Sequence, residues 1–403
     1  MVSTGLILCP MHTEFDKLLL LLRSTDEANV RLGLQLAANY PEEIKAHFGY
    51  APHDIQDLFE MLIEQKAWGF DTSFWEMEQL DLSDRDLVVL SPAIGLLQNL
   101  RELYLENNHL QSLPTEISAL QNLTELYLHD NQLQNLPAAI GTLQNLTYIN
   151  LYNNQLQSLP LEIVALQNLT HINLPKNQFQ TLPAELSALQ NLTLLDLNNN
   201  QLQSLPVEIS ALQNLTELRL ANNSLQSLPA EIGTLQNLTT LNLSYNQLQS
   251  LPAEIGALQK LKVLHLNYNS LGHIPVEIEA LQNLTYLSLE NNQLLSLPAE
   301  IGALQNLIYL NFDNNQLQSL PVEIVRLQNL SYLHLESNNF RRLPVEVGTL
   351  QKLTRLYLDN NDLQSLPVEL AALQNLQELH VENNPLVSIP EEIRSLPNLT
   401  IYI

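Results

Sequence analysis

The chain has 403 residues, one cysteine and a formal net charge of −26 at pH 7. So acidic a surface repels phosphate backbones and anionic lipid headgroups, which argues against nucleic acid or a membrane surface as the partner. The sequence has no apolar run long enough to insert as a membrane span, and its single cysteine, Cys9, rules out an intramolecular disulfide. The expected location is therefore the cytoplasm.

The N-terminal residues 1–76 show helical periodicity and do not carry the repeat that fills the rest of the chain. Helices are predicted over Thr13–Leu22, from a cap at Thr25 to about Asn39, and over Pro52–Lys66, with Pro41 ending the second. The aliphatic cluster of the first helix follows acidic residues and lacks a basic lead, so it makes a poor signal peptide.

From residue 77 to the C-terminus the sequence repeats with a period of 23 residues. Thirteen clear units, opened by leucines from Leu100 to Leu376, have the form LxxLxLxxNxLxxLPxxIxxLxx. A weaker unit opened by Met77 precedes them, with Arg85 in the asparagine position and Ser91 in the proline position. Each such unit is called a repeat from "Overall fold" onwards, and its positions are numbered from the residue that opens it. The period and pattern predict a solenoid of about fourteen stacked units.

Each part of the unit has a physical interpretation. The segment Glu125–His129 alternates polar and apolar residues, which predicts a half-buried strand. The asparagine at position 9, such as Asn131, can hydrogen-bond turn backbone from unit to unit and form a ladder. The following proline, such as Pro137, suits the first position of a helical turn, where a nearby glutamate is favoured by the helix dipole.

This repeat resembles that of the leucine-rich repeat family, in particular the Ras-suppressor-like and bacterial intracellular class. The resemblance covers about four fifths of the chain and implies an α/β fold: a curved horseshoe with a parallel concave β-sheet and 3₁₀ or short helices on the convex side. It also implies two regions, an N-terminal α-helical cap over residues 1–76 and the solenoid over residues 77–403, which ends in a terminal strand.

The helical region covers the first solenoid unit in the simplest interpretation, because an uncovered end would expose core leucines. Four aromatic residues are expected to pack there: Trp68, Phe70, Phe74 and Trp75. The alternative is that residues 1–76 form a separate helical domain that binds a partner.

Tyrosines concentrate on the strand face, defined here as the side chains at positions 3, 5, 7 and 8, which the family resemblance places on the concave side. Ten of the thirteen tyrosines lie there: Tyr104, Tyr127, Tyr148, Tyr152, Tyr245, Tyr268, Tyr286, Tyr309, Tyr332 and Tyr357. Several are one period apart and are predicted to be neighbours on adjacent strands; the run of three from Tyr286 ends beside Arg355. Partner binding and simple strand propensity both explain this enrichment.

The strand face is also acidic. Its acidic residues include Asp81, Glu102, Glu106, Glu125, Asp130, Asp196, Glu217, Glu290, Asp313, Glu336, Asp359, Glu378 and Glu382. Only Lys176, Arg219 and Arg355 oppose them. Tyrosine supplies rigid contact area and carboxylates complement a basic partner, so the face has the composition of a protein-binding surface.

The sequence predicts no catalytic, metal or cofactor site. It has no HExxH, GxSxG, P-loop or CxxC motif. His265, His334 and His380 share position 5, but they are three and two units apart, about 14 and 10 Å on strand spacing, which is too far for shared ligation.

The sequence therefore favours a non-enzymatic scaffold whose strand face binds a protein or peptide, with basic character expected of the partner. The alternative is a structural or assembly protein that associates through its ends or its convex surface. The C-terminal Leu399–Ile403 begins another strand with no polar cap, so self-association through this edge is expected if nothing shields it.

Overall fold

The structure, a computed structural model, describes residues 14–64, 74–182 and 184–403. These residues divide into two compact units: a first unit that extends to Gln155 and includes Leu159–Leu169, and a second unit that comprises Leu156–Ser158 and Thr170–Ile403. Trp68, Phe70 and Cys9 lie outside the described residues, as does the side chain of Phe74.

The N-terminal region of the first unit contains four helices: α1 Glu14–Leu22, α2 Glu27–Ala37, α3 Pro41–Phe48 and α4 Pro52–Glu64. The prediction of a cap at Thr25 is wrong by one residue, because the side chain of Asp26 accepts a hydrogen bond from the Asn29 amide at 3.0 Å. Pro41 follows α2 as predicted, but it also begins the unpredicted α3. Proline lacks the N–H that a first helical turn leaves unpaired, so it fits there.

These helices pack against the first repeat of the same unit. Trp75 donates its indole N–H to the carbonyl of Leu22 at 2.8 Å and stacks on Phe48 with ring centroids 5.0 Å apart. The Asn99 side chain donates to the Trp75 carbonyl at 2.9 Å. The predicted helical cap is therefore present, and Trp75 is one of the residues that pack there.

Each repeat begins with a three-residue strand. In the first unit these are β1 Gln79–Asp81, β2 Glu102–Tyr104, β3 Glu125–Tyr127 and β4 Tyr148–Asn150. Successive strands pair in parallel with a register of one period, as in Leu103 opposite Leu126. A 3₁₀ helix at Phe74–Glu76 precedes the first repeat, and each strand is followed by a 3₁₀ helix, at Pro92–Leu96, Thr115–Ala119, Ala138–Thr142 and Leu161–Ala165.

The second unit continues the same pattern. Its strands are β5 His171–Asn173, β6 Leu194–Asp196, β7 Glu217–Arg219, β8 Thr240–Asn242, β9 Val263–His265, β10 Tyr286–Ser288, β11 Tyr309–Asn311, β12 Tyr332–His334, β13 Arg355–Tyr357, β14 Glu378–His380 and β15 Thr400–Tyr402. They pair in parallel in chain order, one period apart from β5 to β14. The last pair, β14 with β15, is offset by 22 residues, with His380 opposite Tyr402.

Helical segments of the second unit are short, as predicted. The 3₁₀ helices are Ala184–Ala188, Val207–Ala211, Ala230–Thr234, Ala253–Ala257, Val276–Ala280, Ala299–Ala303, Val322–Arg326, Val345–Thr349 and Val368–Ala372, followed by the α-helix α5 Glu391–Arg394. No described helix of the protein combines the length and apolar character that crossing a bilayer requires.

The repeat proline lies one residue earlier than predicted. Pro137, for example, has φ −66° and ψ 146° and is the N-cap of the segment Ala138–Thr142 rather than its first helical residue. An extended ψ carries the chain from the asparagine turn into the 3₁₀ helix. The glutamate two residues later, such as Glu162 after Pro160, lies in the first turn as predicted.

The core is a column of leucines from the strands, turns and 3₁₀ segments. In the second unit, Leu195, Leu218, Leu241 and Leu264 are all fully buried, one per repeat at position 4. Stability therefore comes from stacking neighbouring repeats, as the repeat pattern implies.

The predicted asparagine ladder is confirmed. Asn200 is 9% exposed; its Nδ2 donates to the carbonyls of Leu174 and Leu197 at 3.0 Å each, and its Oδ1 accepts from the Phe179 amide at 3.1 Å. One side chain thus joins backbone groups of two consecutive repeats. Asn223 repeats the arrangement with Leu197, Leu220 and Leu202.

Candidate functional site

Tyrosines of the first unit pair as their one-period spacing predicts. Tyr104 and Tyr127 stack with centroids 4.6 Å apart and 8° between ring planes, and Tyr148 tilts against Tyr127 at 5.1 Å. The hydroxyl of Tyr104 donates to Glu102 at 2.7 Å, and that of Tyr127 donates to Glu125 at 2.5 Å. Burial and the Glu125 carboxylate raise the pKa of Tyr127 above its ordinary range. The hydroxyl groups of Tyr104 and Tyr127 therefore have hydrogen-bond partners within the protein.

Tyr152 lies just past β4, at position 7, and its amide donates to Asn150 Oδ1 at 3.1 Å. It is half-buried on the strand face, as its spacing predicts.

In the second unit, Tyr286, Tyr309 and Tyr332 form a continuous row at position 3, called the tyrosine row below. Tyr286 and Tyr309 stack 4.4 Å apart with 3° between planes, and Tyr332 lies 6.1 Å from Tyr309 at 38°. The row ends at Arg355, whose guanidinium carbon lies 5.5 Å from the Tyr332 ring centroid while its Nε contacts Glu378 at 3.2 Å. The predicted run of three rings beside an arginine is therefore present.

A second row of rings occupies position 5 of three repeats and the aligned place on β15. His334, Tyr357, His380 and Tyr402 stack in order, with centroid distances of 4.2, 4.5 and 4.1 Å. Sequence reasoning considered the histidines only as metal ligands and placed Tyr357 by itself. The signal was available for His334, Tyr357 and His380, which share position 5 in consecutive repeats, whereas Tyr402 follows His380 by 22 residues and is aligned with it only by the strand register. This row is called the mixed ring row.

Carboxylates fill position 7 of five consecutive repeats. This acidic row consists of Glu290, Asp313, Glu336, Asp359 and Glu382. Side chains at positions 3, 5 and 7 project from the same side of a strand, so the acidic row runs parallel to the tyrosine row through the three repeats of Tyr286, Tyr309 and Tyr332. Between the two rows, position 5 is Ser288, Asn311 and then His334, where the mixed ring row begins.

The aspartates of the acidic row are partly structural. Asp313 and Asp359 are 7% and 8% exposed, and the Oδ1 of each accepts the backbone N–H of the next acidic residue, at 2.7 Å for Glu336 and 2.5 Å for Glu382. Burial raises the pKa of Asp359. Burial, with the charges of Asp313 and Asp359, raises the pKa of Glu336 to about 7. The row therefore concentrates negative charge that the fold only partly compensates.

Asp196 is similarly engaged. It is 7% exposed, accepts the Asn198 amide at 3.0 Å and lies 3.5 Å from Arg219, whose other guanidinium nitrogen contacts Glu217 at 2.6 Å. Burial raises the pKa of Asp196 despite these partners. Arg219 is therefore occupied by internal carboxylates.

Asp313, His334 and Glu336 are the described group that most resembles a metal site. Each offers one ligand atom, and these atoms lie within 4.8 Å of one another. Ligands on a tetrahedral zinc ion at about 2.1 Å are only about 3.4 Å apart, so the group would have to contract to bind one. The Nδ1 of His334 already contacts Asp313 at 3.4 Å. The three histidines that share position 5 are spread along separate strands, as predicted.

Position 8 has a special backbone that sequence reasoning missed. In every repeat from Asp84 to Asn383 it is left-handed, with φ between 52° and 56°. A residue with a Cβ loses about 1–2 kcal/mol in this conformation, and asparagine tolerates it best. Eight of the fourteen residues are asparagine, whereas Tyr245 and Tyr268 are tyrosine at φ 55° and 54°. These two bulky residues are exceptions to the local preference.

Comparison with family profiles identifies the repeats. The profile described as leucine rich repeat matches residues 121–179, 144–202, 167–225, 282–340 and 351–401, which together cover more than half of the chain. A leucine-rich repeat region matches residues 215–285, and a two-copy repeat matches residues 98–140. A search of curated proteins gives no match.

Solved structures agree with this assignment. A leucine-rich repeat protein of Leptospira interrogans is 44% identical over 82% of this chain and 85% of its own, with a TM-score of 0.78. The plant peptide hormone receptor RGFR1, solved in complex with RGF2, is 30% identical over 82% of this chain and 55% of its own, with a TM-score of 0.71. An internalin of Listeria monocytogenes shares the fold at 20% identity over 90% of this chain and 97% of its own, with a TM-score of 0.62. The chain belongs to the leucine-rich repeat family.

Proposed function

We propose that this protein is a non-enzymatic scaffold that binds a protein or peptide of basic character along the strand face of the second unit. The observation that carries the proposal is the parallel arrangement of the tyrosine row and the acidic row. The tyrosine row offers rigid, amphipathic contact area, and the acidic row offers charge complementarity and faster association with a basic partner. The two rows share three consecutive repeats and are separated only by position 5 of each strand, so the two chemistries are within reach of one ligand.

The similar solved structures support the class of ligand. RGFR1 is a plant peptide hormone receptor solved in complex with RGF2, and it is 30% identical to this chain over 82% of it. A parallel array of short strands presents one row of side chains per position, which suits an extended segment crossing several repeats. The acidic row of this chain is the basis for proposing a cationic ligand.

The tyrosine row is tested by affinity capture with the intact chain, followed by mass spectrometry and salt titration of the captured proteins. Changing Tyr286, Tyr309 and Tyr332 to serine should reduce capture of the main partner at least tenfold, because three adjacent contact rings are lost while the backbone register is kept. Capture by the parent should weaken as salt rises, because the contacts are partly ionic.

The matched control changes Gln247, Gln293 and Gln316 to serine, since these are exposed and lie at position 10, outside the strand face. Equal capture by the tyrosine variant and this control would contradict the proposal. A captured set without basic proteins would contradict the proposed charge of the partner.

The second candidate function, assembly through the C-terminal edge, has its own observation. The terminal strand β15 pairs with β14 along one side, and its Tyr402 and Ile403 are 40% and 73% exposed. We propose that this edge pairs with a second copy of the chain, since exposed strand edges with apolar side chains favour such contacts.

Sedimentation velocity at tens of micromolar compares the parent with a variant in which Ile401 and Ile403 are lysine. The parent should sediment as a larger species that the variant loses, because the added charges repel an incoming strand. An identical monomeric mass for both proteins would contradict assembly through this edge.

A further inference from the structure

Tyr245 and Tyr268 form an exposed aromatic pair in a backbone conformation that tyrosine disfavours. Their rings stack 4.2 Å apart with 8° between planes, and the residues are 52% and 39% exposed. Both lie at position 8, where the φ of 55° and 54° is left-handed. The repeats on either side have Asn222 and Asn291 at this position with the same φ.

Core packing does not account for the pair, because both rings lie on the surface. Stacking alone does not require the left-handed position either, since Tyr286 and Tyr309 stack as closely from ordinary strand positions. Strained backbone that persists at exposed side chains is typical of binding sites, where the side chain is needed at that place. The two tyrosines are therefore the best candidates for a specific contact.

The chemistry beside the pair is anionic. The hydroxyl of Tyr268 lies 3.3 Å from Glu290 Oε1, the first carboxylate of the acidic row, and the same oxygen accepts from Asn291 Nδ2 at 2.8 Å. The charge of Glu290 is the main cause of a raised Tyr268 pKa, so the phenol stays protonated. The flat surface of the tyrosine pair therefore lies beside a carboxylate whose other oxygen, Oε2, takes no part in these two hydrogen bonds.

We propose that Tyr245, Tyr268 and Glu290 form a binding site for an arginine side chain of the partner. A guanidinium is planar, stacks on an aromatic face and can hydrogen-bond a carboxylate at its edge, whereas a lysine ammonium offers only a point charge. This inference rests on the proposed scaffold function and specifies which basic residue the partner presents at this site.

The test uses fluorescein-labelled nona-arginine and nona-lysine peptides and measures the ratio of their affinities by fluorescence anisotropy. The parent should bind the arginine peptide several-fold more tightly than the lysine peptide. Changing Tyr245 and Tyr268 to asparagine should bring the ratio close to one. The variant keeps the net charge, so general attraction of cations to the acidic chain is unaffected.

The same variant has a second readout. Asparagine is the residue that most repeats have at position 8, so the change should raise the melting temperature by a few degrees while the arginine preference is lost. A purely structural pair would give a lower melting temperature. Retention of the arginine preference, or a fall in melting temperature, would each overturn the proposal.

Two control variants separate the causes. Changing Asn199 and Asn222 to tyrosine places a pair at the same left-handed position in the two repeats before Tyr245, away from Glu290. This change should lower the melting temperature without increasing the arginine preference. The tyrosine-row variant leaves Tyr245 and Tyr268 in place and should keep the preference. Failure of the scaffold proposal therefore appears in the capture experiment, and failure of the arginine site appears in the affinity ratio.

Discussion

Replacing Asn200 with alanine should lower the free energy of unfolding by about 1–3 kcal/mol, the cost of leaving buried backbone groups without hydrogen-bond partners. The side chain contacts the carbonyls of Leu174 and Leu197 and the amide of Phe179, and alanine can replace none of these bonds. Water cannot readily substitute, because Asn200 is only 9% exposed. Urea denaturation followed by circular dichroism measures the change.

The control is Gln203→Ala, which shortens an exposed side chain three residues further on. Its unfolding midpoint should match that of the parent protein. If Asn200→Ala shifts the midpoint no more than this control does, the ladder is dispensable and the repeats are held by leucine packing alone. Asn223→Ala should behave as Asn200→Ala does, because its bonds repeat those of Asn200 one period later.

The ladder and the strand register were predictable because the period is fixed. When equivalent residues recur every 23 positions, stacking places them side by side, so Tyr286 opposite Tyr309 follows directly from the spacing. Burial of the position 4 leucines follows from alternation in the strand. These are consequences of repetition and require no knowledge of distant contacts.

The helical region was predicted less well because it does not repeat. Pro41 was treated as a helix stop, although proline also suits a helix start, and α3 was missed for this reason. Asp26 rather than Thr25 caps α2, since both can accept a hydrogen bond and only the final backbone path selects one. The exact residue at which a helix begins or ends depends on which of several neighbouring side chains makes the capping hydrogen bond.

Positions 3 and 5 of the predicted strand face lie in the strands, but the hydrogen bonds made by the carboxylates at position 7 could not be deduced from spacing. Asp313 and Asp359 were counted as partner-binding residues, yet one oxygen of each binds a backbone amide of the next repeat. The sequence shows that they are acidic and adjacent, whereas the depth of each carboxylate depends on side-chain torsions. Whether they contact a partner stays a prediction.

The ionisation of Glu336 links the acidic row to stability. Its pKa in the folded protein is about 7, raised first by burial and then by the charges of Asp313 and Asp359, whereas an unfolded glutamate has a pKa of about 4.3. Between about pH 4.3 and about pH 7, the Glu336 carboxyl keeps its proton in the folded protein but has lost it in the unfolded chain. Stability from this group is therefore fully present below about pH 4.3 and is lost as pH rises to about 7.

Glu336→Gln should remove this pH dependence and stabilise the protein by about 1 kcal/mol at pH 8, a value reduced for the solvent screening of a half-buried side chain. The difference between the variant and the parent should shrink as pH falls towards 4, because the Glu336 carboxyl is then neutral in the folded protein and is becoming neutral in the unfolded chain. Urea denaturation from pH 4 to pH 8 measures the difference. The control is Glu277→Gln, which removes the same charge from an exposed carboxyl in the segment Val276–Ala280. The expectation is contradicted if the stabilities of the parent and of Glu336→Gln change in parallel across this range. In that case the crowded carboxylates of the acidic row do not destabilise the folded protein at neutral pH.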